Sequence, residues 1–205
     1  MNKVEILGVQ ISNVTHYELN HLILKSIKTN QKYSILIVNI YAMNIAFQKR
    51  WFREFLNAAY INFCDGDGVR LGAKILGKDI KEKITYNRWI WSFAELSERS
   101  GFSWYLVGSS VEVIEKAGKV LNRRYPKLFI AGLHHGYLQS PYDQSNLIME
   151  IKTKKPSVLI LGMGMPLQER WLKNNHEKLS FNVALTGGAV FEYVAGTTKM
   201  TPDFF

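Results

Sequence analysis

The sequence predicts an α/β fold, a largely parallel sheet flanked by helices. Short apolar runs alternate with segments of helical period over the whole length, and four strand-then-helix units follow one another from Phe102 onward. With 205 residues, 47% hydrophobic and 13% aromatic, the chain can bury one substantial core, so the expectation is a single domain over residues 1–205, with room for two lobes.

The elements follow in order. Val4–Val9 reads as a strand, and Thr15-His16-Tyr17-Glu18 as a capping box that opens a helix, with Leu19, Leu22, Ile23 and Ile27 as its buried stripe. Ser34–Asn39 is a strand, Ala42 to Ala59 a helical stretch, and a short strand ends at Cys64 before a helix that begins near Val69. Phe102–Val107 is a strand closed by Gly108-Ser109-Ser110. The helix Val111–Arg124 turns Val113, Ile114, Ala117, Val120 and Leu121 inward and stops at Tyr125-Pro126. Leu128–Leu133 is a strand ending in His134-His135-Gly136-Tyr137, with a helix from about Tyr142 to Lys154. Ser157–Leu161 is a strand ending in Gly162-Met163-Gly164-Met165-Pro166, with a helix from Leu167 onward. Asn182–Leu185 ends in Thr186-Gly187-Gly188 before a last helix. Strand ends so arranged share one edge of the sheet, where open α/β folds bind ligands. No internal repeat or low-complexity tract is present, and Lys78–Lys83 is the charge-rich stretch that could separate two lobes.

The formal charge of +9, from 26 basic and 17 acidic residues, favours an anionic partner. Clusters such as Lys152-Thr153-Lys154-Lys155 and Arg123-Arg124 read first as solvated faces. The one cysteine, Cys64, rules out an internal disulfide. No apolar run approaches the roughly 18 residues that span a bilayer, so the expected location is cytoplasmic, at most peripheral to a membrane. No interleaved aromatic and basic motif supports nucleic acid as a partner.

Phe63-Cys64-Asp65-Gly66-Asp67-Gly68-Val69 places two acids and two glycines directly after an apolar run. A calcium loop fails at both ends: aligning Gly68 with the required glycine puts Phe63 at the first ligand position and Lys74 where a glutamate is needed. Three readings remain: a metal-holding Asp-x-Asp pair on a sugar nucleotide, a proton-accepting site, or a tight turn with an aspartate capping the next helix. Gly162-Met163-Gly164-Met165-Pro166-Leu167 starts like a dinucleotide fingerprint, but Leu167 stands at the third glycine and no acid ends the next strand, so nicotinamide binding is not expected. A glycine turn into a helix start still suits phosphate oxygens, with Gln168 and Glu169 in the first turn, and Gly187-Gly188 repeats the arrangement. His134-His135 is expected to be a hydrogen-bonded loop pair rather than a metal site. Tyr137 beside Gly136 suits stacking on a base or packing on the core. No nucleophile elbow is present, and Cys64 beside two carboxylates is a poor thiolate.

Taken in order, Val38-Asn39 with Asn44, Cys64-Asp65-Gly66-Asp67-Gly68-Val69, Leu106-Val107-Gly108, Arg124-Tyr125-Pro126, His135-Gly136-Tyr137, Leu161 to Glu169 and Gly187-Gly188-Ala189-Val190-Phe191 resemble the bacterial WecG/TagA/CpsF glycosyltransferases, glycosyltransferase family 26. The likeness covers nearly the whole chain. It implies a Rossmann-like fold of the family's own type and an inverting, metal-independent transfer of a sugar from a UDP-sugar to a polyprenyl-diphosphate-linked sugar at the inner membrane face, in surface polysaccharide, capsule or teichoic-acid linkage synthesis. No metal and no cofactor are expected. By the same resemblance Asp65 is the general base, Asn39 positions a sugar, and Gln168 and Glu169 belong to the nucleotide side. Such a reaction needs one base and donors or cations for the leaving diphosphate. Lys83 and Arg88 are the candidates for that charge, while Gly108, Gly136, Tyr137, Gly162, Gly164, Gly187 and Gly188 outline a nucleotide cleft with Gln168.

The chain also departs from the family. Ile37 stands where threonine is frequent, and Lys83-Ile84-Thr85-Tyr86 where an arginine precedes the stretch, so bidentate geometry is lost. Tyr86-Asn87-Arg88 replaces small and acidic residues, and Asp67 adds an acid, with sugar binding or helix capping as its roles. The sequence stops at Thr201-Pro202-Asp203-Phe204-Phe205, where the family usually continues into a basic membrane-attaching segment, so that segment is expected to be missing. A homo-oligomer is compatible with all of these features.

Overall fold

The computed structural model describes residues 2–199; the terminal stretch Thr201–Phe205 lies outside them. Among the described residues there are eight strands: β1 (Lys3–Ile6), β2 (Val9–Ser12), β3 (Tyr33–Val38), β4 (Ile61–Cys64), β5 (Ser103–Gly108), β6 (Phe129–His134), β7 (Val158–Gly162) and β8 (Val183–Thr186). The helices are α1 (His16–Lys28), α2 (Ile40–Gln48), α3 (Arg50–Ala58), α4 (Asp67–Ile75), α5 (Tyr86–Ser100), α6 (Val111–Arg124), α7 (Pro141–Lys154), α8 (Leu167–Asn175) and α9 (Val190–Val194).

Strands β3 to β8 form one sheet in the order β4-β3-β8-β7-β5-β6, and every neighbouring pair runs parallel. All six C-terminal ends therefore lie along one edge, as the sequence predicts. Both faces are covered, which is how a parallel sheet hides its apolar side chains. Alternate residues serve opposite faces: Ile35, Ile37, Trp104, Leu106 and Ile160 pack with α1, α5, α6 and α9. Leu36, Val38, Tyr105, Val107 and Leu161 pack with α2, α3, α4, α7 and α8. On the first face Trp89 stacks on Phe93 at 4.8 Å and Phe93 on Trp104 at 5.3 Å between ring centroids. Each such buried side chain contributes roughly 1.5–3 kcal/mol, so this column stiffens α5 against the sheet.

Several sequence expectations are corrected. The predicted strand Val4–Val9 instead bends through a hairpin turn, Val4–Ile6 lying in β1 and Val9 opening β2, which pairs antiparallel with β1. The two-residue turn Leu7-Gly8 has positive φ at both positions, the geometry that matches strand twist. Ala42 to Ala59 is not one helix: Lys49 is extended at φ −122 and ψ 102 and separates α2 from α3. Helix α4 starts at Asp67, before Val69. Helix α5 was not anticipated, although Trp89, Ile90, Phe93, Ala94 and Ser97 make its buried stripe. The Thr15–Glu18 capping box on α1 is present, with Glu18 N donating to Thr15 Oγ1 and Thr15 N donating to Glu18 Oε2. The Lys78–Lys83 segment is a loop tied down at Lys81, whose N–H donates to Asn13 Oδ1 at 2.7 Å, and followed by Ile84 N–H on Cys64 O at 2.9 Å.

Candidate functional site

At the β4 end the backbone still follows the sheet at Asp65, whose N–H donates to Val38 O at 2.9 Å. The chain then turns at Gly66, where φ +110 and ψ 150 suit glycine and strain any L side chain. One oxygen of Asp65, Oδ1, accepts the Tyr86 N–H at 3.3 Å. Burial lifts the Asp65 carboxyl to about 6, against the lowering effects of that N–H and of the Lys83 ammonium. A half-buried carboxylate with one oxygen anchored, titrating near neutrality, is suited to accept a proton.

Asn39 ends β3, one register step beyond the Val38–Cys64 pair, and therefore stands beside Asp65. Its Oδ1 accepts the Ala42 N–H at 2.9 Å and caps α2, which leaves its amide N–H groups to serve as donors at the strand edge. Asp67 does not cap a helix with its side chain. It sits in the first turn of α4 and pairs through Oδ2 with Lys83 Nζ at 2.7 Å. Lys83 and Arg88 line one cleft of about 480 Å³ with His16 and Glu82. His16 is held there by Glu82, Nδ1 to Oε1 at 2.6 Å. Burial, with Asp65 adding to it, pushes the Cys64 thiol to about 12, so Cys64 is inert as a nucleophile.

The other end of the edge is built from glycine turns. A cleft of about 220 Å³ is lined by Ser109, Gly136, Tyr137, Gly162, Gly164 and Gly188, with Leu167, Ala189 and Glu192 beside them. Tight approach explains some of the glycines, since a Cβ at Gly108 would stand 2.2 Å from Gly162 O, whereas Gly164 and Gly188 meet nothing but sit at φ +79 and +56, a conformation that suits glycine. Tyr137 is 62% exposed on the rim, where its ring is free to stack. The His134–His135 pair is hydrogen-bonded as expected, His134 Nδ1 lying 2.7 Å from His135 O. The Met165–Pro166 bond is cis and precedes α8.

Gln168 and Glu169 do not line this cleft; both are buried beneath it. Gln168 Nε2 donates to Glu169 Oε1 at 2.7 Å, and Gln168 Oε1 accepts the Gly188 N–H at 3.1 Å. The pair therefore shapes the Gly187–Gly188 turn from below. Burial raises the Glu169 carboxyl to about 7, with the Gln168 amide lowering it in part.

Three participants escaped sequence reasoning. Glu192 lines the glycine cleft, where its Oε1 accepts from Ser109 Oγ at 2.9 Å, while Oε2 is buried without a partner. Ser109 is the second. The third is Tyr86, noticed in the sequence only as a departure: its N–H holds Asp65, and its ring lies 3.1 Å from where a Cβ of Gly187 would stand. Tyr86 thus spans the two ends. Nothing in the pattern of the chain marks Glu192, though its place just after Gly187-Gly188 is a usable signal. Among the described residues no three His, Cys, Asp or Glu side chains gather as a metal site, and no helix is long and apolar enough to cross a membrane.

The comparisons with known proteins point one way. A model of the Glycosyl transferase WecG/TagA/CpsF family matches residues 4–205. An N-acetylglucosaminyldiphosphoundecaprenol N-acetyl-beta-D-mannosaminyltransferase of Staphylococcus aureus strain NCTC 8325 is 29% identical over 206 residues, covering 99% of this chain and 80% of that protein. The protein of the same name from strain MRSA252 is 28% identical over the same coverage.

Proposed function

Because the chain belongs to the WecG/TagA/CpsF family of glycosyltransferases, we propose that it moves a sugar from a UDP-sugar to a sugar carried on a polyprenyl diphosphate, with inversion at the transferred carbon. The relatives' names, which specify N-acetylmannosaminyl transfer to a diphosphoundecaprenol-linked N-acetylglucosamine, make that pair the first substrates to test. The observation that carries the reading is Asp65, anchored by the Tyr86 N–H and lifted to about 6, at the same sheet edge as the glycine cleft.

In the proposed reaction the free oxygen of Asp65 takes the proton of the acceptor hydroxyl. The acceptor oxygen bonds to the anomeric carbon from the face opposite the nucleotide, the bond from that carbon to the diphosphate oxygen breaks, and UDP departs with the electron pair. Tyr137 stacks on the base, the unpartnered Glu192 oxygen accepts a ribose hydroxyl, and the backbone N–H groups of the glycine turns and the start of α8 receive phosphate oxygens. Lys83 and Arg88 supply positive charge on the Asp65 side, and Asn39 donates to a sugar oxygen. No metal is assigned a role, and the enzyme is placed at the inner face of the cell membrane because its acceptor is lipid-linked.

Asp65→Asn should lower transfer by about 10²- to 10⁴-fold, the usual weight of a general base, with UDP binding by calorimetry unchanged. Wild-type turnover in that variant would remove Asp65 from the role. Activity should persist in EDTA; loss restored by manganese would assign Asp65 and Asp67 to a metal instead.

A further inference from the structure

Beyond Asp67 the sheet edge opens into a groove of about 900 Å³ along α4, walled by Gly68, Arg70, Leu71, Lys74, Gly77 and Lys78. Val69 and Ala73 turn inward on this helix, so the groove side carries a cationic and apolar mixture that the fold does not use. Leu71, in the groove wall, is 60% exposed, and Ile75 and Leu76, exposed at 77% and 46%, lie outside that wall near the end of the helix. Two carboxylates share the groove. Asp67 is neutralised by Lys83, and Asp79 lies at the far end. Lys78 is tethered to the Glu5 carbonyl, which leaves Arg70 and Lys74, one helical turn apart, as the charges facing solvent.

We propose that this groove binds the diphosphate and the first prenyl units of the lipid-linked acceptor, with Arg70 and Lys74 on the diphosphate and Leu71 on the hydrocarbon, which continues past the groove wall toward the exposed Ile75 and Leu76. The assignment rests on the function proposed above and adds the place of the acceptor's lipid end. Charge complementarity selects the occupant: exposed Leu71 beside two cations with no ion-pair partner among the described residues fits a chain that is anionic at one point and hydrocarbon thereafter. A second copy of the same basic face would repel itself. Length agrees as well. From Asp67 to Lys74 the helix advances roughly 10 Å, about the span of one sugar ring and its diphosphate, so a hydroxyl at Asp65 places the phosphates over Arg70 and Lys74. The hydrocarbon then runs away from the catalytic edge along the end of α4.

The test uses the full chain and a soluble acceptor, farnesyl-diphospho-N-acetylglucosamine, with farnesyl diphosphate as a binding probe. Arg70→Glu/Lys74→Glu should raise the acceptor KM by at least tenfold and weaken farnesyl diphosphate binding to match, with UDP affinity and melting temperature held. Leu71→Asp should raise the KM less. An unchanged KM in both variants overturns the proposal. So does loss of binding to phosphatidylglycerol vesicles with the soluble-acceptor KM intact, which would make the groove a bilayer contact, or a change of sedimenting mass, which would make it an interface between copies. If no UDP-sugar is turned over by the wild type, the proposed function fails separately, while farnesyl diphosphate calorimetry still decides the groove.

Discussion

The two ends of the sheet edge are built from different materials. Around β4 the candidate working parts are ionisable side chains, Asp65, Asp67 and Lys83, held by the Tyr86 N–H and by ion pairing. Around β5, β7 and β8 the cleft is shaped by main chain, with glycines where strands and turns approach too closely for a Cβ or where the backbone takes a positive φ. The first end depends on proton affinity and charge, the second on space. Substitutions at the first should therefore change chemistry with binding intact, and substitutions at the second should change binding and stability together.

The largest effect follows from pH. If Asp65 is the base proposed above, it must be ionised to act, and with its carboxyl lifted to about 6 kcat/KM should fall about tenfold per unit below pH 6, roughly a hundredfold two units down, and be flat above it. A profile without that limb would break the contrast at the chemical end. Gly108→Ala comes next: its methyl would meet Gly162 O, so a loss of about 1–3 kcal/mol in denaturant unfolding should accompany weaker UDP binding. Glu192→Ala should weaken UDP binding about tenfold, the size of one hydrogen bond to a charged group, measured by calorimetry with Asp65 untouched. The smallest effect on turnover is expected at Glu169→Gln. Because Glu169 titrates near 7 in the fold against 4.5 ordinarily, the folded chain keeps a proton that the unfolded chain has lost, and stability falls as pH rises between those values. Removing the charge should raise the melting temperature above pH 7, by roughly 1–3 kcal/mol of stability, and leave it unaltered below about pH 4.5.

How far the chain could be read depended on whether a feature has a local cause. The parallel sheet, the gathering of its strand ends at one edge and the Thr15–Glu18 cap are written in short patterns, whereas the strand order is not. The hairpin was hidden because Leu7-Gly8 lacks the Asn-Gly or Asp-Gly signature of such turns. The break at Lys49 carries neither glycine nor proline, so tertiary packing decides it. In the site, Asp65 and the glycine turns were legible because turn chemistry and a family resemblance coincide there. Gln168 and Glu169 were placed correctly in sequence, but which side of α8 faces the cleft depends on the Gly188 N–H twenty residues away. Glu192, one acid in Phe191-Glu192-Tyr193, carries no motif of its own, only its nearness to Gly187-Gly188.

Tyr86 gives the contrast its limit. With its amide on Asp65 and its ring against Gly187, it belongs to both halves, so the architecture has a hinge pin rather than a seam. A lineage that reshapes the Gly187 turn must carry Asp65 along with it, and any change that moves this residue also retunes the acidity of that carboxyl.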